Sequence, residues 1–247
     1  MKKIILTLSF LVVALSAGAW NKLSYPVIAF LASKHLTPEA ASATKSVLGA
    51  DFAETKIAGN PLYLLYLSSE YAPMDEGEKS VLVLIDSSLE QLKKDKNDKE
   101  ALLSLTKAVA DMHGVVNVRI QGLGLSDGEF TVRRWNNRSG KMARYKDCTW
   151  KFLWNSYYAY KHEIFTAEQY AEDIDIYYGG SSAAFMKGTP DEWAADMAAE
   201  IRVIYSRNLT DNYIMRQEEQ NLLEYTHDRL LAKAAYRLAA ILNEIYK

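Results

Sequence analysis

The stretch at residues 101–118, ALLSLTKAVADMHGVVNV, constrains the fold of this chain most. Its apolar residues recur at helical spacing around most of the circumference, which predicts a mostly buried helix. Lys107 and Asp111 are four residues apart and therefore share a face, and His113 and Asn117 repeat that spacing close by. Because a buried lysine or aspartate is costly without a partner, the sequence predicts that both charges are paired.

The N-terminus predicts export. Lys2 and Lys3 precede an apolar run of about a dozen residues, and Ala-Gly-Ala at 17–19 fits a small-residue cleavage site. These features predict a signal peptide at 1–19, with Trp20 as the first mature residue. An uncleaved anchor is the alternative, but the run is too short for an ordinary membrane span. We therefore expect a periplasmic or secreted protein that is not membrane-bound after cleavage.

Composition and motifs exclude several functions. The formal net charge of −2 argues against broad electrostatic capture of nucleic acid or anionic membrane, although a small basic cleft is compatible with it. Cys148 is the single cysteine, so no internal disulfide can form, and a buried structural thiol is a more common role than a nucleophile. No pair of histidines has the spacing of a metal site on one helix, and no glycine-rich loop has phosphate-binding spacing.

The pattern of elements predicts an all-α fold, with residues 20–247 forming one compact helical domain. Thr37-Pro38 is typical of a helix start, and the chain after Asp211 reads as a long helix. Residues 62–73, LYLLYLSSEYAP, fit either a helix or a strand. FTVRRW at 130–135 and KMARY at 141–145 alternate around a turn and predict a small β-hairpin insertion.

Four landmarks resemble those of a known family. They are Trp20 followed by a segment ending in His-Leu-Thr-Pro at 35–38, the sequence Ala-Asp-Met-His at 110–113, the pair Trp154-Asn155, and Arg-Leu-Ala-Ala-Ile-Leu-Asn at 237–243. In this order the chain resembles the secreted zinc-dependent single-strand nucleases of the S-one and P-one type, in the phospholipase C/nuclease superfamily. The resemblance covers nearly the whole chain after residue 19 and implies the helical fold of that family.

The resemblance also implies a ligand set. In the family, three zinc ions activate water to hydrolyse phosphodiester bonds of single-stranded DNA and RNA. Trp20 and Asp111 keep family ligand positions, and Glu70 falls near a third. The other family ligand positions are replaced by residues of different chemistry, namely Tyr25, Lys107, Asn117, Lys151 and Asn155.

These replacements predict that most of the zinc site is lost. A zinc ion needs about three or four protein ligands, and a protonated lysine cannot be one. We therefore expect no zinc, or at most one metal ion held by Trp20, Asp111 and Glu70. The ammonium groups of Lys107 and Lys151 would instead neutralise Asp111 and Glu70.

Three functions remain open at this point. The first is a catalytically inactive, nuclease-like protein that binds a phosphate-bearing ligand, single-stranded nucleic acid, a sugar or a protein in the former cleft. The second is an active metal-dependent endonuclease or phosphodiesterase with a reduced site, in which Asp111 is catalytic. The third is a structural or surface-assembly component that binds no ligand.

Overall fold

The computed structural model describes residues 20, 23–57, 62–75, 79–125, 127–136, 144–160, 162 and 164–247. The signal peptide predicted at 1–19 lies outside the described residues and stays a prediction. The helices are α1 (Ser24–Lys34), α2 (Pro38–Leu48), α3 (Val81–Lys94), α4 (Lys99–Met112), α5 (Trp150–Phe152), α6 (Tyr158–Tyr160), α7 (Ala167–Tyr178), α8 (Ser182–Phe185), α9 (Pro190–Tyr205) and α10 (Gln217–Ile245), with a π-helical turn, Leu153–Tyr157, between α5 and α6.

The helix α10 is central to the core. It packs against α1, α4 and α7, while α1 also packs on α7 and α3 pairs with α4. The residues on its second half are buried on nearly every side, including Leu230, Leu231, Ala234, Ala235 and Leu238. Such a helix is stabilised by its apolar contacts with neighbours more than by its own propensity. No helix in the described ranges is long and apolar enough to cross a membrane.

Sequence signals explain several helix starts. Thr37 accepts a hydrogen bond from the main-chain nitrogen of Ala40, with Pro38 at the first helical position, as the Thr-Pro pair predicts. Thr166 and Thr189 form capping boxes with Gln169 and Glu192 at the starts of α7 and α9. These side chains satisfy main-chain N–H groups that the first turn of a helix leaves without a partner.

The prediction of an all-α fold is wrong, because the helix-rich chain also forms two three-stranded mixed sheets. The strands are β1 (Leu65–Leu67), β2 (Pro73–Met74), β3 (Val118–Ile120), β4 (Thr131–Asn136), β5 (Arg144–Thr149) and β6 (Tyr213–Ile214). The ambiguous 62–73 segment supplies β1 and the start of β2, and β3 pairs in parallel with β1. Parallel strands are joined by long connections, so no local turn sequence predicts their pairing.

The helix predicted at 101–118 ends earlier, at Met112. After it, Val115–Asn117 forms a 3₁₀ turn and the chain continues into β3. Gly114 and the β-branched valines that follow it have low helix propensity, and valine packs well in strands. Asn117 therefore lies beyond the end of α4 rather than on it.

The hairpin prediction is confirmed, but the second strand, Arg144–Thr149, shares only two residues with the predicted 141–145. β4 and β5 pair antiparallel from Asn136↔Arg144 to Thr131↔Thr149, and the connection at 137–143 lies outside the described residues. Cys148 belongs to β5 and is half-buried, where burial raises the pKa of its thiol. β6 joins β4 in parallel just before α10 begins, so the long C-terminal helix starts at Gln217 rather than near Asp211.

Candidate functional site: a buried aspartate held by a lysine and a tyrosine

The carboxylate of Asp111 is the most enclosed charged group of the region. It lies in the last turn of α4 with no exposed surface. Lys107, one turn earlier, donates from Nζ to Asp111 Oδ2 at 2.6 Å, and Tyr25 on α1 donates its hydroxyl to Oδ1 at 2.6 Å. The main-chain N–H of Tyr63 donates to Oδ2 at 3.3 Å. The predicted pairing of Lys107 with Asp111 is confirmed.

Aromatic rings enclose the lysine. Its ammonium nitrogen lies 5.5 Å from the centre of the Tyr25 ring and 5.8 Å from that of Tyr63. Ring faces attract a cation, so both tyrosines contribute to holding the ammonium group in place. The Lys107 side chain is 12% exposed, whereas that of Asp111 is fully buried. We name Tyr25, Tyr63, Lys107 and Asp111 the Asp111 cluster.

Burial dominates the electrostatics of Asp111. Its pKa is raised, first because the carboxylate is desolvated, while the charge and hydrogen bond of Lys107 and the hydroxyl of Tyr25 act in the opposite direction. The pKa of the Tyr63 phenol is also raised, by burial and by the nearby Asp111 charge. Tyr63 is therefore a neutral hydroxyl at physiological pH.

Three side chains hydrogen-bond carbonyl oxygens at the carboxyl end of α4. The carbonyl oxygen of Ala110 accepts from Trp20 Nε1 at 2.8 Å, and that of Asp111 accepts from Asn117 Nδ2 at 3.1 Å. The ring of His113 hydrogen-bonds the carbonyl oxygen of Val109 at 2.7 Å. The main-chain N–H groups of His113 and Gly114 also donate to the carbonyl oxygens of Ala110 and Asp111, so side chains and main chain together satisfy this helix end.

The tautomer of His113 follows from its two neighbours. Arg237 on α10 can only donate, and its Nη1 lies 2.9 Å from His113 Nε2, so Nε2 accepts. Nδ1 therefore carries the proton that is donated to Val109. Burial, then the Arg237 charge, lowers the pKa of His113 to about 3, so the ring is neutral. His113 is a structural group between α4 and α10.

The structure brings some of the predicted site residues together and separates others. Trp20, Tyr25, Lys107 and Asn117 all contact the last turns of α4 around Asp111. Asn155 lies on the π-helical turn, and this turn contacts the 3₁₀ turn that holds Asn117.

Glu70 and Lys151 belong to the surface. Glu70 is exposed in the β1–β2 connection, where its carbonyl oxygen accepts from Arg202. Lys151 donates to Glu129 at 2.6 Å in a solvent-exposed pair, so the expected pairing of Lys151 with Glu70 is wrong. The position of Glu70 in a turn between two strands carries it away from α4.

The residues around Asp111 do not fit a zinc ion. Oδ2 of Asp111 accepts from an ammonium group and Oδ1 from a tyrosine hydroxyl, so both oxygens are engaged by hydrogen-bond donors. A metal ion beside Oδ2 would meet the Lys107 charge, and the Lys107 nitrogen has no lone pair while protonated. Within the described residues, no group of three or more His, Cys, Asp and Glu side chains is placed to hold a metal.

A second ionic cluster, which the sequence analysis did not predict, lies between α9 and α10. Asp196 accepts from Lys233 and Arg237, and Glu200 accepts from Arg229 and Lys233, over distances of 2.6 to 3.2 Å. We name these five residues the α9–α10 network. The spacing of four residues within each helix is the signal that could have indicated it, since such residues share a face.

An aromatic group covers Trp20. Its ring meets that of His227 edge-on at 5.4 Å, and His227 also contacts the rings of Trp154 and Tyr158. Trp154 Nε1, Tyr158 Oη and His227 Nε2 are buried and have no hydrogen-bond partner among the described residues. Buried polar atoms without a partner are uncommon in folded proteins, and these three lie on rings that contact one another.

Comparison with models of known protein families finds no match, and neither does a search of curated proteins.

Proposed function

We propose that this protein is a secreted, non-hydrolytic relative of zinc-dependent single-strand nucleases that binds a phosphate-bearing ligand beside Lys107. The observation that carries the proposal is the 2.6 Å contact between Lys107 Nζ and Asp111 Oδ2. The ammonium group supplies the positive charge beside the carboxylate. It cannot coordinate or activate water as a metal ion does.

Contacts between the landmark segments support the kinship. Trp20 donates to the carbonyl oxygen of Ala110, and Arg237 donates to His113. The main chain at Thr37 and His35 exchanges two hydrogen bonds with the side chain of Asn243. Segments that resemble the family in sequence therefore also contact one another through specific polar groups.

The surroundings of Lys107 support binding rather than hydrolysis. An ammonium group has three protons, and Asp111 accepts one of them at Oδ2. The Lys107 side chain is 12% exposed, and its ammonium nitrogen lies 5.8 Å from the centre of the half-buried Tyr63 ring. A phosphate or a single-stranded nucleic acid backbone approaching this edge would meet the ammonium and a neutral phenol, which are both hydrogen-bond donors.

Hydrolysis is tested with single-stranded DNA and RNA, with and without added zinc. We expect no cleavage above that of an Asp111→Ala variant, because Asp111 is already engaged by Lys107 and Tyr25. Zinc-dependent cleavage that disappears in Asp111→Ala would contradict the proposal. It would favour the reduced-site phosphodiesterase that uses Trp20, Asp111 and Glu70.

Binding is tested by fluorescence anisotropy with a labelled single-stranded oligonucleotide and, separately, with inorganic phosphate as competitor. We expect Lys107→Met to weaken binding by about fivefold, which corresponds to about one charge-assisted contact. Lys45→Met is the matched control, because Lys45 is also paired with an aspartate, Asp51, but on the surface. If neither probe binds or raises the melting temperature, a structural role without a ligand is favoured.

A further inference from the structure

A groove with a volume of about 500 Å³ runs between the second half of α3, the segment joining α8 to α9, and the end of α10. It shares no lining residue with the Asp111 cluster. Its wall is largely apolar, formed by Leu89, Leu92, Met186, Trp193, Ile241 and Ile245. Leu92, Trp193 and Ile241 are buried beneath it, while the other three are half-buried along its sides.

The polar edge of Trp193 is already satisfied. Its Nε1 donates to the carbonyl oxygen of Lys187 at 2.8 Å. The ring therefore presents an apolar surface to the groove and requires no polar partner from a ligand. A molecule lying along this wall would bury carbon against carbon, which favours an aliphatic chain.

Charge is concentrated at one rim. Lys93 and Lys96 line the groove there, are exposed, and make no ion pair within the described part of the chain. Glu244 is the acidic lining residue, and its carboxylate pairs with Lys247 at 3.3 Å. The lysines at this rim can therefore contact an added anion without first breaking an ion pair of their own.

The dimensions favour a small molecule over a protein. A volume of this size is typical of small-molecule sites, which range from about 300 to 1,000 Å³. Thirteen described residues line the groove, whereas a stable protein interface uses about 20–30 residues on each side. The groove is thus large enough for a flexible chain, and its lining is smaller than one side of a stable protein interface.

We propose that this groove binds an anionic amphiphile with a single medium-length acyl chain and a carboxylate head. The chain lies against Leu92, Trp193 and Ile241, and the head pairs with Lys93 and Lys96. The site is independent of the proposed function at Lys107, because it uses different residues on different elements.

Isothermal titration with decanoate, decanol and decyltrimethylammonium, each below its micelle concentration, tests the proposal on the purified protein. We expect decanoate to bind about tenfold more tightly than decanol, since two lysines each contribute a partly exposed ion pair, and the cation to bind most weakly. Equal binding of all three, or no binding of decanoate, would overturn it.

Two sets of variants locate the site. Lys93→Gln with Lys96→Gln should reduce decanoate binding to the level of decanol. The control pair Lys45→Gln with Lys56→Gln changes the net charge equally on exposed lysines elsewhere and should leave it unchanged. If the two pairs of variants behave alike, the lysine part of the proposal is wrong.

Filling the groove should remove binding of both decanoate and decanol. Ala240→Phe places a ring in the space beside Ile241, and Leu89→Glu places a carboxylate on the half-buried α3 wall. Urea unfolding shows which of the two variants is folded, and the titration with decanoate and decanol is carried out on the folded variant. Decanoate binding that persists in a folded groove variant would overturn the proposal.

Discussion

The Asp111 cluster and the α9–α10 network are both ionic groups of the helical part of the fold, but they differ in burial and in the number of cations that serve each carboxylate. Asp111 has a single cation and no exposed surface. Asp196 and Glu200 have two cations each and remain 38% and 15% exposed. The pKa values respond in opposite directions, raised for Asp111 and lowered for Asp196 and Glu200.

The comparison shows that one close ion pair does not offset complete burial. Desolvation is the largest influence on all three carboxylates. At Asp196 and Glu200, a second cation and contact with solvent outweigh desolvation, so the pKa of each carboxyl group is lowered. The Asp111 carboxylate is therefore costly to charge, and it depends on Lys107 and Tyr25 for its stabilisation.

The largest expected effect comes from breaking the Lys107–Asp111 pair. Asp111→Leu leaves Lys107 without its carboxylate and should lower the free energy of unfolding by about 3 kcal/mol or more. Lys107→Met should be similarly costly, because it leaves a buried carboxylate without a cation. The double variant should lose less than the two single losses summed, by about 1 kcal/mol or more.

Urea unfolding of the four proteins in this cycle measures the coupling. Additive losses would show that Lys107 and Asp111 do not stabilise each other, and the distinction between the two ionic groups would then fail.

An intermediate effect should appear as a pH dependence through His113, which joins α4 to the network at Arg237. The folded pKa is about 3 and the unfolded value about 6.5, so the unfolded chain binds more protons between these values. Stability from this residue is complete above about pH 6.5 and is lost as the pH falls towards 3. The slope is up to about 1.4 kcal/mol per pH unit.

His113→Gln should remove this dependence of the free energy of unfolding on pH, because an amide does not titrate in this range. The glutamine side chain still offers a hydrogen-bond donor and an acceptor. Unfolding of both proteins at about pH 7.5, 6 and 5 tests it, and groups that titrate alike in the two proteins cancel. If both lose stability at the same rate on acidification, His113 is not held neutral by Arg237 and burial.

A smaller effect is expected in the network. Asp196→Ala should lower the free energy of unfolding by about 1–2 kcal/mol. The loss is modest because Lys233 still pairs with Glu200 and Arg237 still hydrogen-bonds His113. Asp147→Ala, which removes the exposed partner of Arg133, is the control and should cost less than about 0.5 kcal/mol. If Asp196→Ala lowers the free energy of unfolding as much as Asp111→Leu does, a second carboxylate does not reduce the cost of leaving these cations without Asp196.

The sequence predicts the contacts between residues that are close together in the chain. The pairing of Lys107 with Asp111 follows from their spacing of four residues on a buried helix, and this was confirmed. The hairpin of β4 and β5 also follows from local alternation around a turn. Each of these depends on residues close together in the chain.

The contacts between residues that are far apart in the chain could not be predicted from the sequence. Tyr25 donates to Asp111 across 86 positions, and nothing in its neighbourhood marks it as a hydrogen-bond donor to a carboxylate. The parallel pairings of β1 with β3 and of β4 with β6 likewise join short, distant strands, which is why an all-α fold was expected. The charges of α9 and α10 resemble solvated faces until the two helices are packed together.

We propose that Lys107 takes the place of a metal ion beside Asp111. The most direct test is the zinc content of the purified protein, measured by mass spectrometry after equilibration with zinc and removal of the unbound ion. The Lys107–Asp111 contact predicts fewer than one tightly held zinc ion per chain, with no change in Asp111→Asn. One or more tightly held zinc ions per chain would contradict it.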